Sequence, residues 1–206
     1  IGRPAICILF PYTRLFRSYD FVFHGQHTML RKIVEKYDVS SVTMISPGKS
    51  FNVAGVQTAA LLVDGDTMKK QIMSRMNAMA YPFEHAFAEG VTIGAYMESE
   101  EWFEEVYRYI KENKEMTVQY IRENIPHLRV PESEATYLLW VDCSAMKMTD
   151  EEIIEFWKNE CGIIPSGGLE FGEAGSQYVR LNLACPKKIL LRVLENMKKG
   201  FDGLKS

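Results

Sequence analysis

Between Ser99 and Ile125 the chain holds its longest periodic stretch, with Trp102, Val106, Ile110, Thr117 and Ile121 recurring at helical spacing until Pro126 ends it. Ser99 is placed to cap this helix, and Glu100 and Glu101 in its first turn complement the helix dipole. A helix this long, coming after a strand-rich part, is a natural connector between two domains.

From Tyr19 onward short apolar runs alternate with amphipathic stretches, the signature of an α/β chain. Phe21-Val22-Phe23, Ser41 to Ile45 and Val56 to Val63 read as strands, and residues 28–37 as a helix. Pro47-Gly48 and Asp64-Gly65 are turns, and Asp66 is placed to cap a helix through about Ala80. Beyond Pro126 comes a strand from Thr136 to Val141. Thr149 and Glu152 then form a capping box for a helix closed by Gly162. A glycine-rich stretch, Ser166 to Gly175, reads as a mobile lid or rim. A strand from Tyr178 to Leu183 follows, and then a terminal helix with Pro186 in its first turn and Gly200 as its stop.

Residues 1–18 fit neither period, carry three arginines and no acid, and resemble translated sequencing-adapter read-through. They are expected to be a non-native leader and are left out of the fold expectation.

With 24 Lys+Arg against 27 Asp+Glu and a net charge of -3, the chain lacks the basic footprint of a nucleic-acid binder. No apolar run approaches the roughly 20 residues of a membrane span, and no signal peptide is visible, so a cytoplasmic protein is expected. Cys7, Cys143, Cys161 and Cys185 are widely spaced with no CxxC pair, which argues against a disulfide framework or a zinc ribbon. The last three are expected as small core residues. His24, His27, His85 and His127 form no metal signature.

Two residues stand out chemically. Lys49, in Ser46-Pro47-Gly48-Lys49-Ser50-Phe51-Asn52, lies just past an expected buried strand, at the kind of sheet end where open α/β folds bind ligands. Partial desolvation there would free its lone pair for covalent chemistry; the alternative is an ordinary solvated loop lysine. Arg180 shares a strand face with Tyr178 and Asn182, opposite Val179, Leu181 and Leu183. It could offer a two-pronged donor to a carboxylate, or form a cross-strand ion pair on a solvated face. The glycines of SGGLEFGEAG have neither phosphate-binding spacing nor a following helix.

SPGKSFNVAGVQ at 46–57, MNAMAYPFEHAFA at 76–88, TYLLWVD at 136–142 and YVRLNLACP at 178–186 resemble, in order, the carboxyl-terminal half of class I/II aminotransferase-superfamily enzymes. The likeness covers nearly all of residues 19–206 and is greatest to the cystathionine β-lyase-like carbon–sulfur lyases. It implies a remnant of a fold-type-I pyridoxal-phosphate-binding large domain over 19–95 and an α+β small domain over 96–206 that includes the long connector. By position, Lys49 would hold pyridoxal 5'-phosphate covalently, Ser46 would donate to its phosphate, and Arg180 would grip the substrate α-carboxylate. Asn52 and Tyr137 would neighbour the substrate, and the intact parent would be a homodimer acting on a small amino acid.

The departures bear on function. The family's acidic partner of the pyridine nitrogen falls at Leu15, inside the suspected leader. The upstream half, with its phosphate-binding turn and ring-stacking aromatic, is absent. Gln57 stands where many aminotransferases carry a phosphate-binding arginine, which leans toward the lyase branch. For the intact parent the expectation is a β-lyase acting on cystathionine or other L-cysteine S-conjugates, with an aminotransferase as the nearest alternative; the chain as written is expected to be an inactive fragment or an interaction module.

Overall fold

The computed structural model describes residues 21–34, 36–37, 39–79 and 86–204. The leader, with Cys7 and Leu15, and also His85, lie outside the described residues. The chain divides into two compact units, with the boundary after Glu104.

The first unit contains α1 (Leu30–Val34), β1 (Val42–Ile45), β2 (Ala60–Val63), α2 (Asp66–Ala78) and α3 (Ala88–Ile93), which runs into a π-helical turn at Gly94–Glu98. β1 and β2 pair antiparallel, with Val42 opposite Val63 and Ile45 opposite Ala60. The ladder is held at its open end by Ser41, whose hydroxyl donates to the Asp64 carboxylate at 2.5 Å while its carbonyl accepts from the Asp64 N–H at 3.0 Å.

Several boundaries differ from the sequence expectation. The strand expected from Val56 begins only at Ala60, because Ala54–Val56 close a 3-10 turn and Gln57 sits in the left-handed region at φ 51. A residue in that conformation cannot continue a pleated strand. The Phe21–Phe23 strand reduces to an isolated bridge at Val22; Phe21, at φ 46, and Phe23 are instead buried aromatic packing. The helix expected over 28–37 spans only Leu30–Val34. Asp66 is the first helical residue rather than the cap, a position taken by Gly65 at φ 80; its carboxylate still favours the helix N-terminus. β1 is not a buried strand: Val42 and Met44 are exposed, since among the described residues it has one neighbouring strand only.

α4 (Glu100–Asn124) crosses the boundary between the units. Ser99 precedes it, but its hydroxyl donates back to the Gly94 carbonyl of the π-helical turn at 2.9 Å. Trp102 is an exposed member of the expected apolar stripe, and its neighbour Phe103 is the buried one.

The second unit adds β3 (Leu138–Asp142), α5 (Asp150–Asn159), β4 (Ser166–Gly167), β5 (Tyr178–Asn182) and α6 (Lys187–Asp202). The three strands form an antiparallel sheet in the order β3-β5-β4. Leu139 and Val141 of β3, with Val179 and Leu181 of β5, turn one face into a core completed by Ile121 and Ile125, Ile153 and Trp157, and Leu190, Leu194, Met197 and Phe201. Each such side chain contributes about 1.5–3 kcal/mol of burial free energy. The alternation expected for Tyr178 to Leu183 is therefore present.

The Thr149–Glu152 capping box forms as expected, with the Thr149 N–H donating to Glu152 at 2.8 Å and the Glu152 N–H to Thr149 Oγ1 at 3.2 Å. Gly162 closes α5 at φ 64, with the Ile163 N–H reaching back to the Trp157 carbonyl at 2.9 Å. Gly200 does not stop the last helix, which runs to Asp202 with Pro186 as its N-cap. It is a contact glycine: a Cβ there would lie 2.6 Å from Cys161 Sγ and 3.0 Å from the Glu160 carbonyl, so α6 crosses the end of α5 at backbone distance. Among the described residues no helix is long and apolar enough to cross a membrane.

Candidate functional site

In the first unit the chain leaves β1 at Ser46 and folds into a tight turn. The Phe51 N–H donates to the Pro47 carbonyl at 2.9 Å and the Val53 N–H to the Gly48 carbonyl at 3.0 Å. Ser46 Oγ serves this turn twice, donating to the Thr58 carbonyl at 2.7 Å and accepting from the Gly48 N–H at 3.2 Å. Gly48 allows the close approach, since a Cβ there would meet Ala54 Cα at 3.3 Å.

The turn is anchored by Phe51, a residue the sequence reading did not single out. Its ring lies 5.4 Å from Tyr96, 6.0 Å from Trp102 and 5.6 Å from Phe103. Phe103 also meets Phe21 at 5.5 Å, which gives the N-terminal aromatics their packing role. An aromatic set that begins two residues beyond Lys49 was the signal available.

Between these fixed points Lys49 is exposed, and its amine makes no hydrogen bond or ion pair among the described residues. The partial desolvation expected for it is not supplied by the described fold. Asn52 is exposed on the same turn at φ 55, a left-handed conformation that asparagine tolerates better than most residues.

In the second unit Arg180 lies on the solvent-side face of β5, opposite Trp140 on β3 and Ser166 on β4. The expected alternative of a cross-strand ion pair does not form, because neither cross-strand neighbour is acidic. Its guanidinium donates to Ser166 Oγ at 3.2 Å and lies over the Phe171 ring, 4.4 Å from the centroid. Trp140 meets Phe171 edge-on at 5.7 Å and stacks on Tyr178 at 5.5 Å. Phe171, Trp140 and Ser166 are site neighbours that sequence reasoning missed; the two-residue alternation of β3 and β5 was the signal for Trp140.

The stretch from Ser166 to Gly175, expected as a mobile lid or rim, carries regular structure along most of its length. It pairs with β5 at Ser166–Gly167 and continues as two 3-10 turns, Gly168–Phe171 and Glu173–Gly175. Gly168 and Gly175 touch backbone to backbone, which no side chain would permit.

Tyr137 is half-buried just before β3, and its carbonyl accepts from the Leu183 N–H at 2.9 Å. It follows Thr136, a β-branched residue held at φ 70. Lys114 of α4, buried, donates to the carbonyls of Ser133, Ala135 and Thr136 and to Ser133 Oγ at 2.9–3.3 Å. Burial lowers its pKa below 10.5. Cys143 and Cys161 are core residues as expected, their thiols pushed up to about 12 and about 11 chiefly by burial, and Cys185, half-buried, is raised by the same cause. Among the described residues no His, Cys, Asp and Glu cluster could hold a metal ion.

The mixed helix and sheet architecture corresponds to part of the fold-type-I pyridoxal-phosphate enzymes. Cystalysin from Treponema denticola, whose structure contains a pyridoxal 5'-phosphate cofactor, matches with a TM-score of 0.83 and 25% identity over 90% of this chain and 48% of that one. The pyridoxal-phosphate-bound C-S lyase of Staphylococcus hominis matches at 0.74 and 25% identity, over 86% of this chain and 43% of that one. The chain belongs to the class I and II aminotransferase family, whose pattern it matches over residues 19–196. Among curated relatives, the cystathionine beta-lyase PatB of Bacillus subtilis is 26% identical over 180 residues, 87% of this chain and 46% of PatB. MalY of Escherichia coli is 23% identical over 164 residues, 78% of this chain and 40% of MalY. The chain thus spans about half the length of the curated relatives it matches.

Proposed function

We propose that the chain carries the lysine-bearing and carboxylate-binding parts of a pyridoxal-phosphate-dependent carbon–sulfur β-lyase. Its substrates would be cystathionine or other L-cysteine S-conjugates, and its products pyruvate, ammonia and a thiol. The observation that carries this reading is the Lys49 amine, exposed and unengaged on a turn pinned by Ser46, Gly48 and Phe51. Relatives and structural neighbours described as cystathionine beta-lyase and C-S lyase support it.

Pyridoxal phosphate, when bound, supplies an electron sink for the negative charge left at Cα. The residues fit such a group in part. Lys49 has a free amine to hold it, and Ser46 can turn its hydroxyl from the Thr58 carbonyl to a phosphate oxygen while the Gly48 N–H keeps its geometry. In this reading Lys49 also takes the Cα proton as general base. Arg180 receives the substrate carboxylate, with Asn52 and Tyr137 as further substrate neighbours. Breaking Cα–H and Cβ–S forms a carbon–carbon double bond and releases the thiolate, and water then converts aminoacrylate to pyruvate and ammonia. The assembled enzyme is proposed to be a homodimer.

The test is borohydride reduction in the presence of pyridoxal phosphate, followed by peptide mapping. A label on Lys49, lost in Lys49→Ala, is expected; a label elsewhere, or none, overturns the assignment. Pyruvate from cystathionine without added keto acid separates the lyase from an aminotransferase, which would require one.

A further inference from the structure

Arg180 has one of its five N–H donors on Ser166 Oγ and the face of its guanidinium on Phe171, and both partners are uncharged. An arginine matched to a carboxylate would have both ends of its planar fork engaged. Here the side chain is fixed while its charge is left uncompensated by its cross-strand neighbours Trp140 and Ser166. What fixes it is assembled with care. The Gly168–Gly175 backbone contact folds the intervening segment so that Phe171 reaches Arg180, and Trp140, itself stacked on Tyr178, braces the ring edge-on. Phe171 is half exposed, so core burial is not the reason an aromatic stands there.

We propose that Phe171 is a positioning residue: its ring holds the Arg180 guanidinium pre-oriented, with donors free, to receive the α-carboxylate of an amino-acid substrate. The inference rests on the proposed reading of Arg180 as the carboxylate receptor. The ring confines a long, rotamer-rich side chain before the ligand arrives, which lowers the ordering cost of binding. It also adds cation–π attraction without consuming a hydrogen-bond donor. The glycine-rich segment is in this view a rigid bracket for one aromatic ring.

The test is side-chain NMR on the arginine-labelled chain, with the Arg180 Nε–H signal assigned by its loss in Arg180→Lys. L-alanine is the probe and L-alaninamide, which lacks the carboxylate, the control. In the wild-type chain the signal is expected to be sharp, displaced by the Phe171 ring current, and shifted by L-alanine but not by L-alaninamide. In Phe171→Leu the ring-current displacement should vanish and the affinity for L-alanine fall about fivefold, with Phe171→Tyr restoring both. Backbone amide signals of Leu139 and Val179 verify that the core persists in each variant. If wild type binds L-alanine and Phe171→Leu binds it equally well, the positioning role is overturned and the carboxylate reading stands. If wild type shows no carboxylate-dependent shift, the reading of Arg180 fails, and this inference with it.

Discussion

Gly168 and Gly175 meet backbone against backbone, and a Cβ on either would overlap the other's carbonyl group. Neither residue has a positive φ, so the requirement for glycine is steric rather than conformational. A Cβ at Gly168 would also lie 2.8 Å from the Tyr178 carbonyl, on the strand that carries Arg180. The turn and the strand are thereby fastened together at one point.

Gly168→Ala and Gly175→Ala should each destabilise the chain by roughly 1–3 kcal/mol, the usual cost of overpacking against atoms that cannot move aside. Gly55→Ala, where a Cβ meets nothing within 4 Å, is the control and should change stability little. Urea denaturation followed by tryptophan fluorescence measures all three. Equal midpoints would mean that the segment opens at little cost, as a lid would.

A second glycine has a separable partner. Ala at position 200 would press on Cys161 Sγ at 2.6 Å and on the Glu160 carbonyl at 3.0 Å. Gly200→Ala should cost about 1–3 kcal/mol, and Cys161→Ala, which removes the sulfur, should recover part of that loss. The residual cost belongs to the carbonyl, which no substitution removes. A double-mutant cycle reads the coupling directly, and strict additivity would show that the two helices part rather than repack.

Lys114 is the hub of the bend that precedes β3. Lys114→Met removes the donor from the Ser133, Ala135 and Thr136 carbonyls at once and should cost about 1–3 kcal/mol at neutral pH. The pH dependence has a definite sign. Burial lowers the folded-state pKa below 10.5, so between the lowered value and 10.5 the unfolded chain binds more protons than the folded one. The Lys114 contribution therefore becomes more favourable as pH rises through that window. Wild type minus Lys114→Met, from denaturation at several pH values, should show this rise; a fall would reverse the assignment of burial as the dominant influence.

Legibility in the sequence followed the range of the interactions. The capping box at Thr149 and Glu152, the closure at Gly162 and the two-sided strand at Tyr178 to Asn182 rest on neighbours a few residues apart, and spacing alone revealed them. Gly200 looked like a helix stop because a glycine near a chain end usually is one; its reason lies in Cys161, 39 positions away by subtraction of the numbering. Ser99 looked like a cap because nothing local announced a π-helical turn before it. At the candidate site, Lys49 and Arg180 were visible by residue type and position on their elements. Phe51 and Phe171, which hold the turn and the guanidinium, were not, because an aromatic in a loop gives no hint of which distant ring or cation it will meet.

The thiols supply the last prediction. Cys143 and Cys161 are buried, and burial raises them to about 12 and about 11, so at pH 8 neither offers thiolate to an alkylating reagent. Cys185, half-buried and raised by burial, should react ahead of both, and all three should react together in denaturant. The same shifts carry a stability term. Because the folded pKa values exceed the ordinary 9.0, the contribution is fully present below pH 9 and is lost as pH climbs through about 11 to about 12. Iodoacetamide labelling with peptide mass mapping checks the order. Modification of Cys143 in the folded chain before Cys185 would show that the sheet carrying Val141 opens on the timescale of the reaction, contrary to the packing of Trp157 and Phe201 over that core.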